Sequence, residues 1–113
     1  MRSGSSPERG DVVWLTLDPQ IGREQAGRRP ALILSPAGYN GKTGLCLACP
    51  ITSQKKGYPF EVALPDGLPV TGVVLADHAR SLDWRGPSAE FICIVPESVI
   101  GEVTDKLYAL IST

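Results

Sequence analysis

The sequence predicts a mainly β domain with one C-terminal helix, and three observations support this fold class. Six short apolar runs of four to seven residues are separated by Gly, Pro, Asp or Asn, which is typical of strands and turns. One segment near the C-terminus has helical spacing instead. The chain has 113 residues, 42% of them hydrophobic, which is enough for one core. We expect the strands to close into a small barrel, because closure removes exposed sheet edges.

The predicted strands are rich in Val, Ile and Leu, and they lie at 11–17, 30–35, 45–51, 60–64, 72–75 and 90–95. After Pro96, a residue type that suits the first helical position, apolar residues recur at three- and four-residue steps. They are Val99, Ile100, Val103, Leu107, Leu110 and Ile111. This spacing predicts an amphipathic helix that packs on the barrel, and a partner-binding face is the alternative.

Two predicted connections, residues 18–28 and 52–59, are longer than the usual links of about two to five residues. Functional residues often lie on such loops. The formal net charge is −1, which argues against a general nucleic-acid coat protein. Residues 20–56 nevertheless hold six Lys or Arg and one acid, whereas residues 57–113 hold three Lys or Arg and eight acids. This asymmetry favours a local basic surface for a polyanion, and chance placement is the alternative.

The chain is expected to form a flexible tail over residues 1–8 and a single domain over residues 9–113. An odd number of cysteines, Cys46, Cys49 and Cys93, favours a reducing compartment, and the chain shows no signal-peptide pattern or apolar run of membrane length. We therefore expect a cytoplasmic protein. Cys46 and Cys49 are three apart in a predicted strand, so they face opposite sides and are expected to be buried hydrophobes, not zinc ligands or a disulfide.

Three stretches resemble, in order and spacing, the MazF/PemK family of toxin endoribonucleases: GDVVWLTLDPQIGREQAGRRPALILSP, PITSQKKGYPFEV and GVVLADHARSLDW. The resemblance runs from about Arg9 to the C-terminus. It implies an SH3-like barrel of the PemK/CcdB toxin type, a homodimer, and metal-independent, cofactor-free cutting of single-stranded mRNA at short motifs, which stops translation and growth. It also implies inhibition by a cognate antitoxin with an acidic disordered tail, like MazE.

The resemblance assigns catalysis to Arg29, in the G-x-R-P element, and to Thr52, which follows the apolar-proline-apolar step. In the implied reaction the 2′-OH attacks phosphorus and leaves a 2′,3′-cyclic phosphate and a 5′-OH. Charge builds on the non-bridging oxygens, and a guanidinium fork and a hydroxyl donate to them. The structural alternatives are a barrel-rim arginine that pairs with a carboxylate and a threonine that ends a strand.

The general base is open at this point. Arginine is a poor proton acceptor, whereas Glu24 is the single acid among nearby cations that favour its ionised form. Orientation of Arg28 or Arg29 by Glu24 is the alternative. Related plasmid-type toxins have an Arg-x-Asp pair where this chain has Leu75-Ala76-Asp77. Because this chain has Leu75 in place of that Arg, it lacks the Arg/Asp pair, and Asp77 is expected to have a structural or orienting role.

Other residues are expected to bind RNA. Arg23, Arg28, Lys55 and Lys56 are candidates for phosphate contacts, and Ser53 and Gln54 for reading a base edge. Trp14, Tyr58 or Phe60 are candidates for base stacking, with core packing as the alternative for Trp14 and Phe60. His78 is the one histidine, so a two-histidine ribonuclease is excluded; it either carries a proton, contacts a base or is an ordinary surface residue.

Two other function classes fit a small barrel. A gyrase-poisoning toxin is disfavoured, since that branch of the fold acts through a tryptophan-containing tail and this chain ends in LIST. A non-enzymatic SH3-like binding module is disfavoured by the aromatic content of 6%, because peptide grooves need clustered aromatics.

Overall fold

The computed structural model describes residues 6–16, 28–85 and 89–112. Along these ranges the elements are β1 Asp11–Thr16, β2 Arg28–Ile33, α1 Ala37–Thr43, β3 Leu45–Thr52, β4 Glu61–Ala63, β5 Val73–Leu75, a 3-10 turn Ala76–His78, β6 Arg80–Asp83, β7 Glu90–Ile94 and α2 Glu97–Ile111. None of the helices in the described ranges has the length and apolar content needed to cross a bilayer.

The strands form one antiparallel arrangement in the order β4-β5-β3-β2-β1-β7, and β6 pairs with β3 outside this path. Strand β3 is long enough to pair with β6 near its start, with Leu45 opposite Asp83, and with β5 at its end, with Thr52 opposite Val73. Helix α2 begins shortly after β7 and packs against β4 and the Ala76–His78 turn. The predicted fold class, antiparallel strands in a small barrel-like sheet with a C-terminal helix, is confirmed.

Strands β1 to β3 are apolar on both faces, because alternate residues contact two different cores. Val12 and Leu32 lie in the core that α2 covers, whereas Val13 and Ala31 lie in the core on the opposite face. From α2, Val103 is fully buried in the first core. Burial of one such side chain contributes about 1.5 to 3 kcal/mol, so the helix is fixed to the sheet by a few residues.

The predicted apolar face of α2 packs on the sheet over its first turns. Val99 and Val103 are buried, and Ile100 and Leu107 are half-buried against the same core. Packing ends there: Leu110 is 47% exposed and Ile111 is 74% exposed. The helical spacing predicted the element correctly, but its final turn extends beyond the core.

The sequence pattern missed α1 and β6. Helix α1 contains two glycines and an asparagine and has no apolar periodicity. Its stabilising contacts are tertiary: Asn40 is fully buried, accepts a hydrogen bond from the Ser35 hydroxyl at 2.5 Å and donates to the Pro7 carbonyl at 2.8 Å. Strand β6 was missed because only Leu82 of its four residues is buried.

Residues 6–8, which the sequence assigns to the tail, contact α1. Pro7 is fully buried, the Ser6 hydroxyl donates to the Ala37 carbonyl at 3.1 Å, and the Glu8 carboxylate accepts the Ala37 N–H at 2.9 Å. The folded part of the chain therefore includes these three residues.

Candidate functional site

Two cavities meet at one end of the β2–β3 pair. The larger, called here the Trp14 cavity, has a volume of about 460 Å³, and the smaller, the His78 cavity, about 200 Å³. Arg29, Thr52 and Gln54 line both. The Trp14 cavity is further lined by Trp14, Pro30, Ile51, Ser53, Pro69, Val70 and Thr71. The His78 cavity is further lined by Lys56, Tyr58, Glu61, Leu75, Asp77 and His78.

Strand register brings Arg29 and Thr52 together. Strands β2 and β3 pair through Ala31 and Pro50, and this antiparallel register, continued two residues outward, sets Arg29 opposite Thr52. Arg29 is also paired with Leu15 of β1, and Thr52 with Val73 of β5. Each residue therefore lies on a strand that also pairs with a second neighbour, β1 for Arg29 and β5 for Thr52. A phosphate bound between the two cavities would contact a guanidinium and a hydroxyl.

The neighbours of Thr52 fix its position and leave its hydroxyl able to donate. Its Oγ1 accepts the Gln54 N–H at 3.1 Å, a short turn that starts the segment after β3. Gly72, whose φ is +115°, lies against the Thr52 carbonyl, where a Cβ would overlap the oxygen. A glycine is thus required for β5 to begin this close to Thr52.

Segment 53–60, which joins β3 to β4, is held over the His78 cavity by two side chains. The Glu61 carboxylate accepts the Lys56 N–H at 3.1 Å and the Gly57 N–H at 2.9 Å. Lys106 of α2 donates from Nζ to the Pro59 carbonyl at 2.8 Å. These contacts place Lys56 and Tyr58 in the cavity wall. Lys55 is exposed and lies outside the linings of both cavities.

Glu61 is the residue that sequence reasoning missed. It was assigned only to a strand, yet its carboxylate organises the basic segment and lines the same cavity as Arg29. Its sequence signal is an acid directly after the KKGYPF stretch. That signal gave no reason to expect a carboxylate that turns back to accept main-chain N–H groups.

Arg28 has partners of its own. Its Nη2 lies 2.8 Å from Glu90 Oε1, and its guanidinium carbon is 5.8 Å from the centre of the Trp14 ring. Arg28 is not one of the described residues that line the two cavities. The pair with Glu90 is exposed and contributes about 1 kcal/mol or less, so Arg28 can exchange it for a phosphate at little cost.

The predicted base-contacting residues are divided between the cavities. Ser53 lines the Trp14 cavity, whereas Gln54 lines both. Trp14 is 38% exposed, so its packing in the core, the alternative considered from sequence, is wrong. Tyr58 is 62% exposed in the His78 cavity, and Phe60 is half-buried outside both linings.

Asp77 and His78 lie on the turn after β5, and both line the His78 cavity. His78 Nε2 is 3.9 Å from Asp77 Oδ1, with 58% and 44% of the two side chains exposed. Arg23 and Glu24, predicted to bind phosphate and to act as the base, lie outside the residues that the structure describes.

Cys46 and Cys49 are free thiols on opposite faces of β3, as predicted. Cys46 lies in the core away from α2 and Cys49 in the core beneath it. Burial, with a smaller contribution from Asp83, raises the pKa of Cys46 to about 11, and burial, with Asp77, raises the pKa of Cys49 to about 12. Neither is a reactive thiolate at neutral pH. Across the described ranges, no three His, Cys, Asp or Glu side chains cluster as a metal site would require.

Comparison with known proteins identifies related toxins. Residues 8–111 match the model of the family described as PemK-like, MazF-like toxin of type II toxin–antitoxin system. The endoribonuclease toxin MazF of Escherichia coli K12 is 54% identical over 83 residues, 74% of each chain. The endoribonuclease PemK of E. coli is 35% identical over 116 aligned residues, covering 99% of this chain and 87% of PemK.

Solved structures of related proteins have the same fold. The crystal structure of MazF from Deinococcus radiodurans is 59% identical, with a TM-score of 0.88 and coverage of 96% of this chain and 98% of that one. A MazE–MazF complex from the same organism matches with 59% identity, a TM-score of 0.88, and coverage of 96% and 97%. The predicted family resemblance is confirmed.

Proposed function

The chain belongs to the family of PemK-like, MazF-like toxins of type II toxin–antitoxin systems, and from this premise we propose that it cuts single-stranded mRNA without a metal ion. Cleavage at short sequence motifs in the cytoplasm would stop translation and growth. The observation that carries the proposal is that Arg29 and Thr52, on neighbouring strands, line both cavities. One phosphate at that junction would have a nucleoside on either side.

The proposed chemistry is attack of the ribose 2′-oxygen on the adjacent phosphorus. The products are a 2′,3′-cyclic phosphate and a 5′-OH. Arg29 donates N–H groups and Thr52 its hydroxyl to the non-bridging oxygens as their charge increases. Donors held by strands need little rearrangement when the transition state forms. Most of the rate enhancement is expected to come from this preorganisation of Arg29 and Thr52.

Glu24 is proposed as the base that takes the 2′-OH proton. The Glu24→Gln variant tests this role through the pH dependence of kcat/KM. A base gives activity that rises with pH on the acidic limb, so loss of that limb in the variant supports the role. A modest loss with an unchanged profile would instead indicate that Glu24 orients an arginine.

RNA contacts are proposed for both cavities. Lys56 meets a phosphate from the His78 cavity, with Arg23, Arg28 and Lys55 as further phosphate contacts outside the described linings. Ser53 and Gln54 contact base edges, and Asp77 and His78 contact the substrate within the His78 cavity. The exposed face of Trp14 and the ring of Tyr58 provide surfaces for stacking of unpaired bases.

A homodimer and a cognate antitoxin complete the proposal. The MazE–MazF complexes of D. radiodurans are assemblies of a related toxin with its partner. An antitoxin with an acidic disordered tail would compete with RNA for Arg29 and Lys56, since carboxylates and phosphates bind the same cations.

The test is incubation of purified protein with a long transcript in excess EDTA, followed by mapping of the new 5′ ends. Discrete cuts that leave 5′-OH ends are expected. Intact RNA at high protein excess would contradict the proposal. Inhibition of DNA gyrase would then favour the gyrase-poisoning alternative, and RNA or peptide binding without cleavage would favour a binding module.

A further inference from the structure

We propose that His78 is the general acid of the cleavage step, an inference that rests on the endoribonuclease function proposed above. When the 2′-oxygen attacks phosphorus, the bond to the 5′-oxygen breaks, and that oxygen departs as a hydroxyl only if a proton reaches it. A guanidinium holds its protons too firmly to supply one at neutral pH. Histidine exchanges a proton in this range, and His78 is the one histidine in the chain.

The place of His78 in the fold supports this role. It lines the same cavity as Arg29 and Thr52, the residues proposed to hold the non-bridging oxygens. Its turn directly follows β5 and packs against α2, so its main chain is fixed on a rigid part of the fold. The side chain is 58% exposed, so solvent can return a proton to the ring after each turnover.

The surroundings of His78 carry charges of both signs. Asp77 Oδ1, at 3.9 Å, forms an ion pair with the ring when the ring is protonated. The other titratable or charged groups around this cavity come from β2, the 53–60 segment, β4 and α2. They are Arg29, Lys56, Tyr58, Glu61 and Lys106, the last through its bond to the Pro59 carbonyl. Of the groups that line the cavity, Asp77 and Glu61 offset the charges of Arg29 and Lys56, and a bound phosphate would add negative charge beside an imidazolium.

The full step balances without a metal or a cofactor. The 2′-OH proton passes to the base, proposed to be Glu24, as the bond from the 2′-oxygen to phosphorus forms. The bond from phosphorus to the 5′-oxygen breaks, and that oxygen takes a proton from a ring N–H of His78. Water then reprotonates the imidazole and removes the proton from the carboxyl group, which restores the starting state.

A sulfur-substituted substrate tests this role directly. One short RNA carries a mapped cleavage site, and a matched RNA has sulfur in place of the bridging 5′-oxygen at that site. A thiolate departs without a proton, so general acid catalysis is needed only for the oxygen substrate. We expect His78→Gln to slow cleavage of the oxygen substrate by about 10²-fold and to cut the sulfur substrate at nearly the wild-type rate. Arg29→Ala should be slow on both.

The pH profile supplies a second readout. A general acid gives activity that falls on the alkaline limb of kcat/KM, so His78→Gln should lose that limb on the oxygen substrate. Equal losses on both substrates, or normal turnover of the oxygen substrate, would overturn the assignment of His78 alone. A wild-type protein that cuts neither RNA in EDTA would instead overturn the proposed function, and this inference with it.

Discussion

Arg29 of β2 and Thr52 of β3 occupy matching positions two residues beyond the Ala31–Pro50 pair, and both line the two cavities. Their separation of 23 positions in sequence is closed by the antiparallel register of β2 and β3. Because that register also places Leu32 and Cys49 in the core, a slip of one residue would turn buried side chains outward. The core therefore fixes the geometry of the proposed catalytic pair.

Replacement of Arg29 by alanine should remove the main donor to the transition-state phosphate. We expect cleavage to fall by about 10²- to 10³-fold, as for loss of an oriented oxyanion donor, with little change in stability. Arg29→Lys keeps the charge but loses the planar fork, so it should recover only part of the rate. Lys42→Ala, which removes an exposed cation of α1, is the matched control. Near-normal turnover of Arg29→Ala in a cleavage time course would remove Arg29 from the mechanism.

Thr52 should contribute through its hydroxyl and not through its methyl group. We expect Thr52→Val to lose about 10²-fold in kcat and Thr52→Ser to remain within about 10-fold of wild type. Thr104→Val on α2, where the hydroxyl bonds to the Ile100 carbonyl at 3.0 Å, controls for loss of a threonine outside the cavities. Equal rates for the valine and serine variants would show that the hydroxyl is not a donor.

Glu61 should act through segment 53–60. A glutamine at this position presents an amide that accepts weakly and also donates, so the bonds from Lys56 and Gly57 N–H weaken. We expect Glu61→Gln to raise KM by about 10-fold with a smaller change in kcat, because contacts common to substrate and transition state are lost. Glu102→Gln on the exposed face of α2 is the control. A selective loss of kcat would assign Glu61 to the chemistry itself.

The sequence predicted the proposed catalytic pair but not the residues that support it. The reason is that the supporting contacts form only when distant segments fold together. The family resemblance singled out Arg29 and Thr52, and both lie at strand ends, where apolar periodicity stops and a polar segment starts. The role of Glu61 depends on a segment that folds back over β4, and no local pattern encodes this. Trp14 was difficult for a related reason: a tryptophan in an apolar strand is typical of a core, yet its register beside Pro30 puts it at a cavity.

The two missed elements depend on tertiary contacts. Helix α1 has the composition of a turn, and buried Asn40 and the Gly44 cap hold it, with the Gly44 N–H donating to the Asn40 carbonyl at 2.9 Å. Strand β6 is polar, and its pairing with β3 defines it. The strands with apolar runs and the amphipathic helix were predicted because burial shapes their sequences directly.

Lys56 should bind RNA mainly through charge. Each phosphate contact to a single strand contributes about 0.7 to the slope of log K against log salt concentration. We expect Lys56→Ala to reduce that slope by about this amount for a 2′-deoxy substrate analogue, measured by fluorescence anisotropy over a KCl series. Lys42→Ala, on α1 away from both cavities, should leave the slope unchanged. An unchanged slope for Lys56→Ala would place its ammonium group away from the bound strand.

Cys46 and Cys49 should make the fold less stable at alkaline pH. Burial raises the pKa of Cys46 from 9.0 to about 11 and that of Cys49 from 9.0 to about 12, with smaller contributions from Asp83 and Asp77. Well below pH 9 both thiols are neutral in the folded and the unfolded chain. As the pH rises from 9 towards 11, the unfolded chain loses protons that the folded chain keeps. The free energy of unfolding should therefore fall by about 2 kcal/mol for each thiol.

Urea unfolding at pH 8 to 11 under reducing conditions measures this loss of stability. Other groups also titrate in this range, so the comparison that isolates the thiols is between wild type and the double variant Cys46→Ala/Cys49→Ala. The double variant should be less stable at pH 8, because it lacks two buried sulfur atoms, but its stability should decline less steeply with pH. Cys93→Ala, which removes a half-buried thiol, should keep most of the wild-type slope. Parallel curves for wild type and double variant would mean that the buried thiols do not set the alkaline stability of this fold.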